Sequence, residues 1–208
     1  MQAIPLKATT LTPFAYHSLA IQSGTATLPE LISDTAISFG LAASLGMMAA
    51  RVALPRRDYL RDLRAMPYRS AVFTTAHPEL LAPLVRRLNL DAEAGLQKKV
   101  QDVAYKGNLK EFFQIQEVPE GQVFHGALFG LDPFQHTGEA ELIIRIGLHR
   151  YGMVRLEPAP EVTTVRLNAA TAHLFARTLP VERYALYNLQ LTETKFLDEA
   201  AAEVAQWT

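Results

Sequence analysis

The sequence predicts an α+β fold, an antiparallel sheet carrying helices on one face. Three observations predict it. Apolar and polar residues alternate over short segments, most densely after residue 110. One helical stripe directly follows the opening alternation. Hydrophobic residues make up 49% of the 208 and charged residues 20%, which excludes disorder and allows a substantial core.

Ile4–Thr12 reads as the opening strand, with Ile4, Leu6 and Ala8 on one face and Pro13 ending it. The stretch Ala15–Pro29 is rich in Ser, Thr and Gly and has little hydrophobic period. It reads as a long loop, and long ordered loops are often functional. Ser33 or Asp34 then caps a helix running to about Ala50, with Ile37, Leu41, Leu45 and Met48 along one stripe. Gly40, Ala42 and Gly46 leave room for a sheet to approach.

The middle third differs in texture. Arg51–Arg69 holds six Arg against two Asp, a local charge of +4, and is broken by Pro55 and Pro67. Leu80, Leu81, Leu84, Val85 and Leu88 suggest a short helix bent at Pro83, and Leu96–Lys110 carries four Lys against one Asp. Residues 1–208 are therefore expected to form one domain with a basic insertion at about 51–110. Phe112–Val118 and Gln122–Gly130 flank the turn Pro119-Glu120-Gly121. Ala140–Leu148 and Gly152–Glu157 make a second hairpin, and Val162–Leu167 is a further strand. Asn168 caps a helix ending near Arg177, Arg183–Leu191 is the last strand, and Thr194–Trp207 is a terminal acidic helix. The order strand, helix, insertion, hairpins, helix, strand suits the ferredoxin-like or RNA-recognition-like arrangement, which leaves one sheet face open.

The second hairpin fixes a parity. Leu142, Ile144, Ile146 and Leu148 share a face, as do Val154 and Leu156 on the return strand. Both sets meet the core only across a loop of odd length. A three-residue loop, His149-Arg150-Tyr151, satisfies this, with Gly152 in the left-handed position such turns need. Arg145 then lies opposite Arg155, a pairing that calls for an anion above it. Arg145, His149, Arg150, Tyr151 and Arg155 would gather on one edge, suited to holding phosphates and stacking a base. Alternatively, Glu157 and Glu141 partner these arginines as ordinary surface pairs.

Charge and motifs exclude several functions. Twenty Lys+Arg against twenty-one Asp+Glu leave a net charge of −1, so nucleic-acid binding needs a local patch. The chain has no Cys, which removes disulfides, thiolate metal sites and a Cys nucleophile. The six histidines include no pair at helical metal-ligand spacing, so neither a metal nor another cofactor is expected. Phosphate-loop, dinucleotide and H-E-x-x-H patterns do not occur. Met1–Thr12 has one Lys and no apolar core segment, and the charge-free stretch Thr35–Ala50 is 16 residues, short of the roughly 20 a membrane span needs. A soluble cytoplasmic protein without membrane contact is expected. Metal-free RNA cleavage would need a base and an acid, for which Tyr16-His17 and His149 with Tyr151 are the candidates.

Two blocks carry a resemblance. The first is Thr12-Pro13-Phe14, the Ser/Gly/Thr loop and Pro29-Glu30-Leu31-Ile32-Ser33-Asp34-Thr35-Ala36-Ile37-Ser38-Phe39-Gly40-Leu41-Ala42. The second is Ile144-Arg145-Ile146-Gly147-Leu148-His149-Arg150-Tyr151-Gly152-Met153-Val154-Arg155, an Arg and a Gly preceding a basic turn and strand. Together they resemble the RAMP-superfamily subunit that caps the crRNA 5′ handle in type I CRISPR surveillance (Cascade) complexes, the fifth Cas family, and most of all its type I-D branch. The likeness runs over most of the chain and is least in the middle third. A clear Gly-rich terminal loop is missing, as is the Tyr/His/Lys set of the branch that processes precursor crRNA.

The resemblance implies a ferredoxin-like domain with a thumb-like insertion. It implies a non-catalytic RNA-binding subunit that contacts crRNA and the large and backbone subunits, and target DNA only through the complex. It places the loop Tyr16–Thr25 (Tyr16, His17, Ser18, Ser23, Gly24, Thr25) and the turn His149–Tyr151 against the handle's splayed bases. It makes Arg56, Arg57, Arg61, Lys98, Lys99 and Lys106 thumb or RNA-facing surface. A metal-independent endoribonuclease acting on precursor crRNA and a protein-interaction module of the same fold are the alternatives.

Overall fold

The computed structural model describes residues 1–15, 19–21, 24–47, 58–87, 112–147 and 151–207. In chain order, its first elements are β1 (Ala3–Thr10), β2 (Leu19–Ile21), β3 (Gly24–Ala26), β4 (Leu31–Ile32), α1 (Asp34–Ser44) and α2 (Tyr59–Ala65). Next come β5 (Tyr68–Ser70), β6 (Phe73–Thr74), β7 (Leu84–Arg87), β8 (Phe112–Gln116), β9 (Val123–Gly130) and α3 (Pro133–Thr137). The last are β10 (Leu142–Ile146), β11 (Gly152–Pro158), β12 (Thr164–Val165), α4 (Ala169–Leu174), β13 (Arg183–Leu186), β14 (Leu189–Leu191), β15 (Lys195–Phe196) and α5 (Leu197–Val204).

The main sheet runs β10-β11-β1-β9-β6-β4, with β5 also on β9, and its described pairings are antiparallel. Counting β5/β6 as the second strand, β9 as the third and β11 as the fourth, the first strand lies between the third and fourth, and the second lies beyond the third. With α1 between the first and second, this is the ferredoxin-like order. The fold is α+β, as the sequence predicts.

Alternation builds the core. Ile4, Leu6 and Ala8 of β1 point the same way as Phe124 and Leu128 of β9, Val154 and Leu156 of β11 and Ile144 of β10, all of them buried. Helix α1 covers this face with Ile37 and Leu41. Ser33 caps it, its hydroxyl accepting from the Ala36 N–H at 3.1 Å. Close approach needs Gly40, where a Cβ would lie 3.0 Å from the Arg145 carbonyl and 3.2 Å from Ile144 Cδ1. Ser44 donates to the Ile143 carbonyl at 3.0 Å, so α1 also satisfies part of the outer edge of β10. Tyr68, buried on β5, donates its hydroxyl to the Ser38 carbonyl at 2.9 Å.

The opposite face is covered over half its length. Phe129 and Ala127 on β9 are buried there, and α5 lies against β1 and β9. Phe175 and Trp207 stack with ring centroids 5.8 Å apart. Glu203 ties the covering helix down, accepting both Nε and Nη2 of Arg177 at 3.0 Å and the Trp207 indole N–H at 3.2 Å. The other half of this face stays open and carries Lys7, Thr9, Val123, His125, Ile143, Arg145, Met153, Arg155 and Glu157.

Several expectations are corrected. Residues 78–83 are not helical, and Leu84–Arg87 is a strand, because Pro83 joins Pro78 in a stretch that favours extended backbone. Phe112–Gln116 does not form a hairpin with β9. It leaves the main sheet for a second one ordered β2-β3-β8-β7, in which β3 and β8 run parallel. Arg183–Leu191 is a two-stranded hairpin turning at Tyr187-Asn188, not one strand. Helix α1 ends at Ser44, where Gly46 takes φ +71°, and the terminal helix starts at Leu197 after a short strand. Met48 and Ala50 lie outside the described residues. Within the stretch 51–110, residues 68–74 belong to the main sheet. Among the described residues, no helix is long and apolar enough to cross a membrane, and no three His, Asp or Glu gather as metal ligands.

Candidate functional site

The residues leaving β1 organise one end of the sheet. Thr10 Oγ1 donates to the Pro119 carbonyl and accepts from the Gln122 N–H, each at 2.8 Å, which binds the turn before β9. Thr12 Oγ1 accepts from the Met153 N–H at 2.9 Å and donates to the Tyr151 carbonyl at 3.1 Å, which binds the start of β11. Phe14 exchanges backbone hydrogen bonds with Val118 at 2.9 and 3.2 Å. Its buried ring packs where side chains are missing on the β10–β11 turn. A Cβ on Gly152 would lie 2.6 Å from Phe14 Cβ, and one on Gly147 would lie 3.0 Å from the Ala15 carbonyl. Segments 11–15 and 117–122 are thus locked to Gly147 and to residues 151–153.

The register of the second hairpin differs from the one expected. Ile146 faces Gly152, so the turn is Gly147–Tyr151, five residues instead of three. The parity holds and the apolar faces match, but every pairing moves by one step of the pleat. Arg145 lies opposite Met153, and Arg155 opposite Ile143, so the two arginines do not face each other. The left-handed residue is Gly147, at φ +83°, not Gly152. Phe14 decides this, because its ring needs the space beside both glycines.

Charge on the open face is mostly internally balanced. Arg155 Nε lies 3.1 Å from Glu157 Oε2 and 3.6 Å from Glu141 Oε2, and Lys7 Nζ lies 3.6 Å from the same Glu157 oxygen. The alternative of surface pairing therefore describes Arg155. The exposed Arg145 side chain has no ion pair or hydrogen bond among the described residues. Tyr151 is 65% exposed at the end of the turn. On α2, Arg61 places Nε and Nη2 on Asp62 Oδ1 at 2.9 and 2.8 Å, an exposed pair of little energetic weight.

Of the other residues named from sequence, Gly24 and Thr25 lie on β3, alongside β8. Tyr16, His17, Ser18, Ser23, Arg56, Arg57, Lys98, Lys99, Lys106, His149 and Arg150 lie outside the described residues. The structure brings together the origin of the loop that holds Tyr16–Thr25 and the turn that holds His149–Tyr151. Thr12 and Phe14, which do this, escaped notice as site residues because neither carries reactive chemistry. Only Gly147, a glycine ahead of a basic turn, left a legible signal. The end of the sheet thus offers an exposed aromatic ring and a guanidinium without a carboxylate partner among the described residues, a combination that can stack on a base and bind a phosphate.

No protein-family model matches the chain, and no curated protein matches it. Among solved structures, it is similar to a chain in a cryo-electron-microscopy structure of the Type III-B Cmr-beta bound to cognate target RNA and AMPPnP. The TM-score is 0.45 and the identity 12%, over 92% of this chain and 83% of that one. A likeness of this depth assigns no role to any residue here.

Proposed function

We propose that this chain is a non-catalytic RNA-binding subunit of a CRISPR surveillance complex, and that it holds the 5′ handle of crRNA at the end of the sheet where segment 11–15 meets Gly147 and residues 151–153. The observation that carries the reading is the Phe14 lock. Residues that flank the two segments the sequence resemblance directs to the handle, Thr12 and Phe14 ahead of the loop and Gly147 and Gly152 on either side of the turn, lie more than 130 residues apart yet are braced against each other. Preorganised loops lose less conformational entropy on binding a flexible single strand. Arg145 supplies the charge, and Tyr151 the ring. Arg155 is left out, because Glu157 and Glu141 already engage it.

Large and backbone subunits are the expected neighbours, and type I is the subtype the sequence favours. Binding of a repeat-derived 5′-handle RNA to the full chain, measured across a salt series, tests the reading. Arg145→Glu is expected to weaken binding and to flatten the plot of log K against log salt by about 0.7, one phosphate contact on a single strand. Arg155→Ala is expected to leave both unchanged. Equal binding by wild type and Arg145→Glu contradicts the proposal. Labelled repeat RNA should remain intact in EDTA, and cleavage abolished by His17→Ala or His149→Ala would replace it with the endoribonuclease reading.

A further inference from the structure

The hairpin β13–β14 holds two large rings in the open. Leu189 and Leu191 bury its inner face, while Tyr184 lies opposite Gln190 on the outer one. Tyr184 is 63% exposed and Tyr187, at the turn, 85%, and Val181 just ahead of the hairpin is exposed as well. The mounting beneath these side chains is firm. Buried Asn168 donates its amide to the Asn188 carbonyl and accepts the Gln190 N–H, each at 3.0 Å. Gln190 Nε2 donates to the Tyr187 carbonyl at 2.9 Å, closing the turn. At the other end of the hairpin Glu182 pairs with Arg166, and Arg183 with Glu30.

The same ion pairs empty the surface of usable charge. Between Leu174 and Thr192 the chain has three charged residues, Arg177, Glu182 and Arg183. Each is already matched inside the molecule, to Glu203, Arg166 and Glu30. We infer that this hairpin is a docking knob for another protein chain, with Tyr184 and Tyr187 entering an apolar, uncharged hollow on it. Tyrosine-rich, charge-poor centres mark protein contacts, and anchors held in place before binding lose little entropy. A nucleic-acid strand is the poorer match. It needs cations beside the stacking rings, and both arginines of the segment are committed to carboxylates. Glu30 immediately precedes β4, which lies five strand spacings from β10, about 24 Å across the main sheet. The knob is thus far from Arg145 and stands independently of the RNA reading.

The test replaces Tyr187 of the tagged full chain with the photoreactive residue p-benzoylphenylalanine. The chain is purified from its own cells with the molecules bound to it, irradiated, and its crosslinked peptides are identified by mass spectrometry. The expected result is a crosslink to one segment of a different protein chain, apolar and without charged residues around the point of attachment. That chain is then purified and titrated against the full-length protein. Its affinity should fall at least about thirtyfold in the double variant Tyr184→Ser/Tyr187→Ser, the loss typical of anchor residues. It should hold within about twofold in Phe196→Ser, which removes an equally exposed ring from β15. A crosslink to RNA, to a second copy of this chain or to a charged segment overturns the inference, as does the absence of any crosslink. Undiminished affinity in the double variant overturns it too.

Discussion

Asp34 shows how a single side chain can join distant parts of this chain. It opens α1 fully buried, and its Oδ1 accepts from Asn168 Nδ2 at 2.8 Å. Asn168 in turn caps α4, accepting from the Ala170 N–H at 3.1 Å, and holds β14 through the Gln190 N–H at 3.0 Å. Burial pushes the Asp34 carboxyl above its ordinary 3.8, outweighing hydrogen bonds from Thr171, Asn168 and backbone N–H groups. For an acid raised in the folded state the neutral form is favoured. This group therefore contributes most below 3.8, and the contribution declines as pH rises through the interval from there to the folded value. Asp34→Asn removes that decline. Urea midpoints measured at steps between about pH 4 and 7 should move in the variant's favour, relative to wild type, as pH rises. Parallel curves would contradict this account. Ser33 and Asp34 were both readable as cap candidates. The burial of Asp34 was not, because its partner lies 134 residues away.

At the scale of elements, strand faces are legible while turn lengths are not. Alternation alone required an odd loop between β10 and β11, and three residues satisfied it as well as five. The choice rests with Phe14, whose ring arrives from another segment. Gly152→Ala is expected to force a Cβ to within 2.6 Å of Phe14 Cβ and to destabilise by about 1–3 kcal/mol, the usual range for overpacking, read as a drop in Tm. An unchanged Tm would show that Phe14 can move aside freely. Strands β5 and β6 went unread because they are three and two residues long and sit beside an arginine-rich run, where no period can establish itself. Helix α4 ends at Leu174 with Phe175 as its C-cap, and Ala176 follows at φ +57°, a left-handed position that Ala tolerates poorly. Ala176→Gly is expected to stabilise the protein by up to about 1 kcal/mol, seen as a higher urea midpoint. A lower midpoint would mean that the Ala176 methyl contributes packing that outweighs the strain.

Taken whole, the molecule divides its sheet between two uses. One half of the face opposite α1 is covered by the C-terminal segment through Phe175, Trp207 and the Glu203–Arg177 pair. The other half ends in the braced turn. The order of strand, helix, hairpin and strand made the ferredoxin-like plan readable. Its asymmetry was not, since the closing contacts join Arg69 to Phe175 and Phe14 to Gly152, pairs that no local pattern relates. The charge argument narrowed in the same way. Among the described residues, a basic hairpin in the sequence becomes one arginine paired with carboxylates, Arg155, and one without such a partner, Arg145, once cross-strand neighbours are known. The most direct measurement is ultraviolet crosslinking of the full chain to repeat-derived 5′-handle RNA, with the attached peptides located by mass spectrometry. Crosslinks concentrated in residues 12–26 and 145–153 are the predicted result. Crosslinks that avoid both segments, or their complete absence, would contradict the account.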